Sequence, residues 1–148
     1  AMEPAEFKNQ VWALMRDITD RMNGVFHPII DRYGLTIMQM RVLFEIRRED
    51  GCTVSGLSRR VCAAGTNVSA LCKRLEREGL LERSRDPRDE RVVHITLTGE
   101  GRRTVDEVDA LVTRAFPLLN EEDAEVILDG MQRLSLLLQK RDSIQENP

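Results

Sequence analysis

The sequence has few of the side chains with which enzymes do chemistry. Its two histidines, His27 and His94, lie on separate predicted elements, and no HExxH, GxSxG or glycine-rich phosphate-binding motif occurs. Its three cysteines, Cys52, Cys62 and Cys72, form no CxxC pair, so neither a zinc site nor a disulfide framework is indicated. The sequence therefore predicts no catalytic residue, no metal and no cofactor, and an enzyme is only a remote alternative.

Long apolar runs are missing as well. No stretch approaches the roughly 20 apolar residues that cross a bilayer, and no signal-peptide pattern opens the chain. The 148 residues are 41% hydrophobic and 32% charged, which is typical of one soluble domain large enough to bury a core. We expect a cytoplasmic protein without a membrane partner, and the unpaired cysteines agree with a reducing compartment.

The net charge is only −3, but it is unevenly distributed. Residues 59–103 hold 11 basic and 7 acidic side chains, whereas residues 104–148 hold 4 basic and 10 acidic ones. The positive potential is therefore concentrated in one central block, which is where the phosphates of a nucleic acid would bind. Charge alone favours a solvated face, so this block has to be interpreted together with its motifs.

Apolar periodicity predicts helices on both sides of this block. The first runs from Phe7 to about Arg32, with a kink or a break expected between Gly24 and Pro28, because proline cannot donate a backbone hydrogen bond. Gly34 suits the left-handed position that ends a helix. Thr36 and Gln39 then form a capping box that begins a second helix.

The middle of the chain contains the most informative order of predicted elements. Thr53 caps a short third helix, residues 62–65 form a turn, and a fourth helix runs from about Thr66 to Glu78. Two segments of β character follow, Leu80–Arg85 and Arg91–Leu97, with a charged loop between them. Helix, turn, helix and basic hairpin in this order predict a winged helix-turn-helix that binds DNA.

The fourth helix and the hairpin carry the candidate DNA contacts. The outward face of the helix has small hydrogen-bonding side chains near its start and cations further along, which suits base edges and phosphates respectively. A plain amphipathic surface helix, which would favour more Glu and Ala at its start, is the alternative for any single residue. An arginine of the hairpin can enter a minor groove, whereas an isolated Arg/Asp-rich turn is usually a solvated loop. The candidate residues are Thr66, Asn67, Ser69, Ala70, Lys73, Arg74, Arg77, Arg85, Arg88, Asp89 and Arg91.

Helices near both ends of the chain carry more apolar surface than a small winged domain can cover. Thr98 begins one helix that ends before Pro117, and Asn120 caps a last one. Core packing and a subunit interface explain the N-terminal apolar face equally well, whereas we expect the terminal helices to pack against a second copy. The candidate interface residues are Phe7, Val11, Trp12, Met15, Leu118, Ile127, Met131, Leu134 and Leu138.

A small-molecule site is a further hypothesis, placed around Gly24–Pro28 and the start of the second helix. Apolar walls with one tyrosine and one arginine suit an aromatic acid, although core packing is the commoner role of each residue. The candidate ligand-binding residues are Phe26, Ile30, Tyr33, Met38, Met40, Arg41 and Phe44.

The run from Leu35 to Gly101 resembles the MarR family of bacterial winged-helix transcriptional regulators. The resemblance rests on GLTIMQMRVLFEI before the helix-turn-helix, RLEREGLLER at the end of the recognition helix, and DPRDERVVHITLTGEG in the wing and after it. It implies a mainly α fold with a small β wing, in which residues 36–99 form the winged helix-turn-helix domain. Residues 1–35 and 100–148 would form a helical dimerisation region.

The resemblance also implies a function. A homodimer would place its recognition helices in successive major grooves of a pseudo-palindromic operator and its wings in the flanking minor grooves. A small aromatic or amphipathic effector would release this repressor from double-stranded DNA. A thiol-based redox sensor of the same family is the alternative, through Cys52 beside a helix N-terminus, although family peroxide sensors place the reactive cysteine in the first helix, where this chain has none.

Single positions follow from the resemblance too. Asp89 and Arg91 match the wing Asp-x-Arg of the family, in which the acid orients an arginine, and either Arg88 or Arg91 would enter the minor groove. Arg74 matches a usual arginine of the recognition helix. Ala64-Gly65 departs from the Ser-Pro or Ser-Lys that begins this helix in many members, so we expect its side-chain cap to be missing.

Overall fold

The computed structural model of the chain describes residues 1–61, 66–117 and 120–145. It divides into two compact units, residues 1–116 and residues 117–148. The first contains α1 (Pro4–Asp31), α2 (Ile37–Arg48), β1 (Cys52–Thr53), α3 (Val54–Val61), α4 (Val68–Arg77), β2 (Leu81–Arg85), β3 (Val93–Leu97) and α5 (Gly99–Ala115), and the second contains α6 (Glu121–Gln145). The predicted mainly α fold with a small β wing is confirmed.

Side-chain caps set the helix starts where the sequence predicted them. Thr36 Oγ1 accepts from the Gln39 backbone N–H at 3.1 Å, and Gln39 Oε1 accepts from the Thr36 N–H at 2.9 Å, so the capping box is confirmed. Thr53 Oγ1 accepts from the Gly56 N–H at 3.0 Å at the start of α3. Gly34 has a φ of 68°, the left-handed conformation that glycine adopts without strain after a helix end.

The sequence predicted a kink or a break between Gly24 and Pro28; helix α1 continues through Pro28, so a break is wrong. Proline removes one hydrogen bond, and here it does so in the last turn, where the helix ends three residues later. Ile29 and Ile30, which follow Pro28, are buried in the core and hold this turn in place. Tertiary packing therefore outweighs the local cost of the proline.

The wing contains one strand more than was predicted. The sheet is antiparallel in the order β1-β3-β2, with Cys52 opposite Ile95 and Leu81 opposite Leu97. Strand β1 has only two residues, too few to produce the alternation by which a strand is recognised in a sequence. It joins the start of the helix-turn-helix to the wing.

The core of the first unit lies between α1, α2, α3, α4, α5 and the sheet. Helix α5 comes close to the turn that precedes β2 because Gly101 has no side chain: a Cβ there would lie 1.9 Å from the carbonyl oxygen of Leu80. Thr98 Oγ1 accepts from the Gly101 N–H at 3.0 Å and so caps α5 as predicted. The largest fully buried side chains are Met40, Leu43, Ile46, Leu57, Leu75, Leu81, Ile95, Val42, Val61, Val105, Val108 and Cys72.

Helix α6 constitutes most of the second unit. Asn120 Oδ1 accepts from the Asp123 N–H at 2.7 Å, so the predicted cap is confirmed. The helix continues to Gln145. Within the described residues, no helix is both long and apolar enough to cross a membrane.

Candidate nucleic-acid interface

Helix α4, the second helix of the helix-turn-helix, has a side-chain cap. Asn67 Oδ1 accepts from the Ala70 backbone N–H at 3.0 Å, so the expectation of a missing cap is wrong. The predicted start at Thr66 is also two residues too early, because α4 begins at Val68. Thr66 and Asn67 therefore precede the helix, and Ala64-Gly65, with the rest of the predicted turn at 62–65, lies outside the described residues.

The two faces of α4 separate as a 3.6-residue period requires. Val68, Cys72 and Leu75 are buried in the core. The predicted contact residues on this helix all lie on the opposite, exposed face: Ser69, Ala70, Lys73, Arg74 and Arg77. Small polar groups at the start and cations further along are thus presented to solvent together.

The arginine of the wing loop is oriented by an acid, as its motif predicted. Arg91 donates from Nε to Asp89 Oδ1 at 3.1 Å and from Nη2 to Asp89 Oδ2 at 3.3 Å, and its backbone N–H donates to Asp89 Oδ1 at 3.0 Å. The Arg91 side chain is nevertheless 90% exposed. This contact holds the pKa of the Asp89 carboxyl below its usual range. One carboxylate therefore fixes both the backbone and the guanidinium of an exposed arginine.

The other wing arginines have different surroundings. Arg85 Nη1 donates to the Glu90 carbonyl at 2.7 Å and so closes the wing loop on itself. Arg88 has an exposed side chain, and its backbone N–H donates to Asp86 Oδ1 at 2.7 Å. All three predicted arginines are therefore exposed, and they differ in their partners: Arg85 binds a loop carbonyl, whereas Arg91 binds the Asp89 carboxylate.

His94, which the sequence marked only as an isolated histidine, is bound at both ring nitrogens. Nδ1 lies 2.9 Å from the Gly51 carbonyl oxygen, and Nε2 lies 2.8 Å from Asp86 Oδ2. The hydrogen bond to Asp86, followed by the one to Gly51, raises the pKa of His94, and the pKa of Asp86 is lowered by the same contact. Position 86 lies outside the strands, so no periodicity could have paired it with the ring.

A second contact that sequence reasoning missed ties α4 to the wing. Arg83 donates to Glu76 Oε1 from Nε at 3.2 Å and from Nη2 at 3.0 Å, while its backbone N–H donates to Oε2 at 3.2 Å. This lowers the pKa of the Glu76 carboxyl. Both residues stand in the RLEREGLLER run, on either side of the Gly79 turn, which was the available signal.

A depression of about 360 Å³ lies between the start of α3, α4 and the wing. Two residues predicted to contact DNA, Ser69 and Arg91, line this depression together with Ser55 and Arg83, which contribute a hydroxyl and a guanidinium group. Hydroxyls and guanidinium groups are the donors that proteins offer to DNA phosphates. The residues that line it are Thr53, Val54, Ser55, Ser69, Arg83, Arg91, Val92 and Val93.

The candidate ligand residues lie along α1 and α2 at different depths. Ile30 and Met40 are 5% and 1% exposed and belong to the core, in agreement with the packing alternative. Phe26, Tyr33, Met38 and Phe44 are half-buried against that core, whereas Arg41 is exposed. Sequence reasoning missed the polar groups nearby: Tyr33 Oη donates to Glu107 at 3.1 Å, and Arg47 lies 5.1 Å from the centre of the Phe44 ring.

The cysteines show little of the exposure that a redox sensor needs. Cys52 and Cys72 are both buried, and burial raises the pKa of the Cys72 thiol to about 11, which keeps it protonated at neutral pH. Cys72 therefore acts as a small hydrophobic residue of the core. Cys62 lies outside the described residues.

A helix-turn-helix whose second helix exposes a cationic face, next to a hairpin that presents oriented arginines, defines a winged-helix DNA-binding protein. The family model described as MarR family matches residues 33–92, from the turn after α1 to the wing loop. Over these residues the chain is similar to the MarR family of transcriptional regulators.

Similar proteins agree with this assignment. The homoprotocatechuate degradative operon repressor of Escherichia coli is 27% identical over 115 residues, which cover 78% of this chain and 76% of the repressor. A putative MarR-like transcription regulator from Bacillus cereus has a TM-score of 0.76 at 18% identity, covers 88% of this chain and 97% of its own, and so shares the fold. Bordetella bronchiseptica BpsR, whose DNA binding is regulated by 6-hydroxynicotinic acid, has a TM-score of 0.71 at 28% identity over 85% of this chain and 98% of its own.

Proposed function

We propose that the chain is a homodimeric repressor that binds a pseudo-palindromic operator in double-stranded DNA and is released from it by a small aromatic or amphipathic ligand. The observation that carries the DNA-binding part is the shared surface of α4 and the wing, where the exposed face of α4 adjoins the Asp89-oriented Arg91.

The roles on α4 follow from position. The first turn carries Ser69 and Ala70, which are short enough to let the helix approach base edges in a major groove. Lys73, Arg74 and Arg77 follow on the same face and reach phosphates. The ion pair between Arg74 and Glu78 is long, at 3.4 Å, and exposed, so exchanging the carboxylate for a phosphate costs little.

The wing supplies the minor-groove contact. Arg91 is held in an extended, exposed position by Asp89, and the potential of a minor groove is most negative where the groove is narrow. Because the acid already restricts the guanidinium, less conformational entropy is lost when it enters the groove. Arg88 stands on the same loop and makes a backbone contact that fixes the loop itself.

The dimer is supported by apolar faces that each unit leaves exposed. On α1, Trp12 is 66% and Phe7 is 47% exposed, next to Met15 and the half-buried Val11. On α6, Ile127, Met131 and Leu138 are exposed and Leu134 is half-buried, while Leu118 lies outside the described residues. Contiguous apolar surface of this kind typically marks an interface, and a two-fold operator requires a two-fold protein.

The ligand part is supported by composition and by a relative. Tyr33 and Arg41 stand beside aromatic and apolar side chains on α1 and α2, a combination that suits an aromatic acid. BpsR, at 28% identity, responds to such an acid, 6-hydroxynicotinic acid. Tyr33 also donates a hydrogen bond to Glu107 of α5, so a ligand that displaced this hydrogen bond would loosen the turn after α1 from α5.

DNA selection followed by titration tests the proposal. Duplexes enriched from a random pool by the protein should converge on an inverted repeat with half-sites about one helical turn apart. Fluorescence anisotropy should then show much tighter binding to this duplex than to one with shuffled half-sites, with an affinity that falls as salt rises. Equal affinity for both duplexes would contradict a sequence-specific repressor.

The ligand step needs a separate measurement. Aromatic carboxylates and phenols, with 6-hydroxynicotinic acid among them, should include a compound that raises the melting temperature and releases the selected duplex. Its effect should weaken in Arg41→Ala and in Tyr33→Phe. A compound that acts equally on both variants would place the ligand elsewhere.

A further inference from the structure

The ring of His94 connects three parts of the winged domain. It stands on the central strand β3, its Nδ1 faces the Gly51 carbonyl in the turn before β1, and its Nε2 faces the Asp86 carboxylate in the wing loop. Both distances, 2.9 and 2.8 Å, are those of good hydrogen bonds. The ring is therefore bound at the base of the wing on one side and in the loop on the other.

Both partners of the ring are acceptors. A backbone carbonyl has no proton to give, so Nδ1 must carry one, and an ionised carboxylate also requires a proton on Nε2. Only the doubly protonated imidazolium satisfies both contacts. A neutral ring that keeps its proton on Nδ1 would present the Nε2 lone pair to the negatively charged oxygens of Asp86.

Asp86 also makes hydrogen bonds within the loop that carries Arg88 and Arg91. Its Oδ1 accepts from the Arg88 N–H at 2.7 Å, and its own N–H donates to the Val92 carbonyl at 2.8 Å. The two ends of the loop that presents Arg88 and Arg91 thus meet at Asp86. A change in how Asp86 is held shifts the positions from which both arginines reach DNA.

We propose that His94 is a positioning residue for DNA binding: its doubly protonated ring holds Asp86, and through it the wing loop, in the arrangement that binds DNA. Operator affinity therefore falls when the ring loses its proton. This rests on the proposed function, because it gives the wing a role in DNA binding.

The surroundings of the ring are simple. Asp86 faces it from the wing loop, and the turn before β1 contributes a carbonyl. The residues opposite His94 on the neighbouring strands are Thr53 and Ser84, whose hydroxyl groups do not ionise near neutral pH. Helices α2, α3 and α5 also pack on β3, but Asp86 supplies the charge that raises the pKa of the ring.

The direction of the pH effect follows from this. Since the pKa of His94 is raised in the folded protein, the contact is fully present at pH values below the usual histidine pKa near 6.5 and is lost as the pH rises through the raised pKa. Nearby phosphates favour the imidazolium further, so the DNA complex holds the proton more tightly than the free protein does. Affinity then declines with rising pH by about threefold or more, the equivalent of half a pKa unit.

Anisotropy titrations of the selected duplex from roughly pH 6 to 8.5 test this, because histidine changes charge in that range. Wild type should lose affinity as the pH rises over this range, whereas His94→Gln should bind with nearly constant affinity. The control is His27→Gln, which changes the other, exposed histidine of the chain and should behave as wild type. Equal pH dependence in His94→Gln and wild type would overturn the proposal.

A measurement without DNA separates this inference from the proposed function. In His27→Gln the only imidazole signal in an NMR titration is that of His94, so its pKa can be measured directly. It should lie above 6.5 and should fall in the double variant that adds Asp86→Asn, with the melting temperature showing that each variant is folded. If Asp86→Asn left the pKa of His94 unchanged, Asp86 would not be the partner of the ring. If the pKa fell as expected but the protein selected no duplex, the contact would stand and the repressor function would be contradicted.

Discussion

Glu76 receives three hydrogen bonds from Arg83, two from the guanidinium and one from the backbone N–H. Glu76 is in the last turns of α4, and Arg83 is the third residue of β2, so the pair spans the turn at Gly79. The contact fixes the angle between the helix that would read bases and the strand that leads to the wing. The two elements that carry the proposed DNA contacts are thereby held in a fixed arrangement.

Replacing this carboxylate tests that coupling. Glu76→Gln keeps the shape of the side chain but removes its charge, and the half-buried, multiply bonded pair should lose about 1 kcal/mol of stability. Affinity for the selected duplex should fall as well, because the wing is no longer aligned with α4. Chemical denaturation and anisotropy measure the two effects.

Glu78→Gln provides the matched control. Glu78 lies two residues away and pairs with the exposed Arg74 at 3.4 Å, so its loss should change stability by a few tenths of a kcal/mol at most. If both variants bound the duplex equally well, the Glu76–Arg83 contact would be a local feature without a role in alignment.

Arg91→Ala tests the wing contact. If Arg91 enters a minor groove, its loss should weaken operator binding by roughly 1–3 kcal/mol. Stability should be nearly unchanged, because the side chain is 90% exposed and its pair with Asp89 is at the surface. Arg21→Ala on α1 is the control, since Arg21 is also an exposed arginine paired with an aspartate. If Arg91→Ala bound the duplex as tightly as wild type, the wing loop would be a solvated loop and Arg91 would make no DNA contact.

The sequence predicted local features well because they depend on neighbours in the chain. The capping box at Thr36 and Gln39 and the left-handed Gly34 follow from a few adjacent residues, and all appear in the structure. The Asp89–Arg91 contact was predicted from a motif two residues apart and is present as well. These features need no knowledge of the rest of the fold.

What the sequence did not reveal depends on distant contacts. Strand β1 exists because Cys52 pairs with Ile95, and the His94 contacts join residues 51 and 86, which no periodicity relates. The break expected near Pro28 was overruled by the burial of Ile29 and Ile30. The cap of α4 was sought at Ala64-Gly65, whereas Asn67 supplies it.

Trp12→Ala tests the proposed dimer. Trp12 is the most exposed of the large apolar residues predicted on α1, and a buried interface tryptophan often contributes 2 kcal/mol or more to association. Its removal should shift the dimer toward monomer by at least about thirtyfold in dissociation constant. Sedimentation equilibrium measures this.

Val126→Ala on α6 is the companion variant. Val126 is 68% exposed and is not among the predicted interface residues, so the dissociation constant of the Val126→Ala dimer should stay at the wild-type value. A chain that sediments as a monomer before any substitution would contradict the dimer directly, and an unaffected dimer in Trp12→Ala would move the interface away from the start of α1.

The close approach of α5 to the turn before β2 predicts a large difference in stability between alanine substitutions at two neighbouring glycines. A Cβ at Gly101 would lie 1.9 Å from the Leu80 carbonyl oxygen, and since the obstacle is backbone, α5 or the α4–β2 turn must move. Gly101→Ala should therefore destabilise the fold by about 3 kcal/mol, at the upper end of overpacking costs. In Gly99→Ala the new Cβ meets nothing within 4 Å, so denaturation should show a free energy of unfolding equal to or slightly above that of wild type.

Because Thr98 Oγ1 binds both the Gly79 carbonyl and the Gly101 N–H, the Gly101 variant should also disturb the turn that leads from α4 into the wing and weaken DNA binding. Equal stability of the two variants would mean that α5 does not pack this closely on the wing.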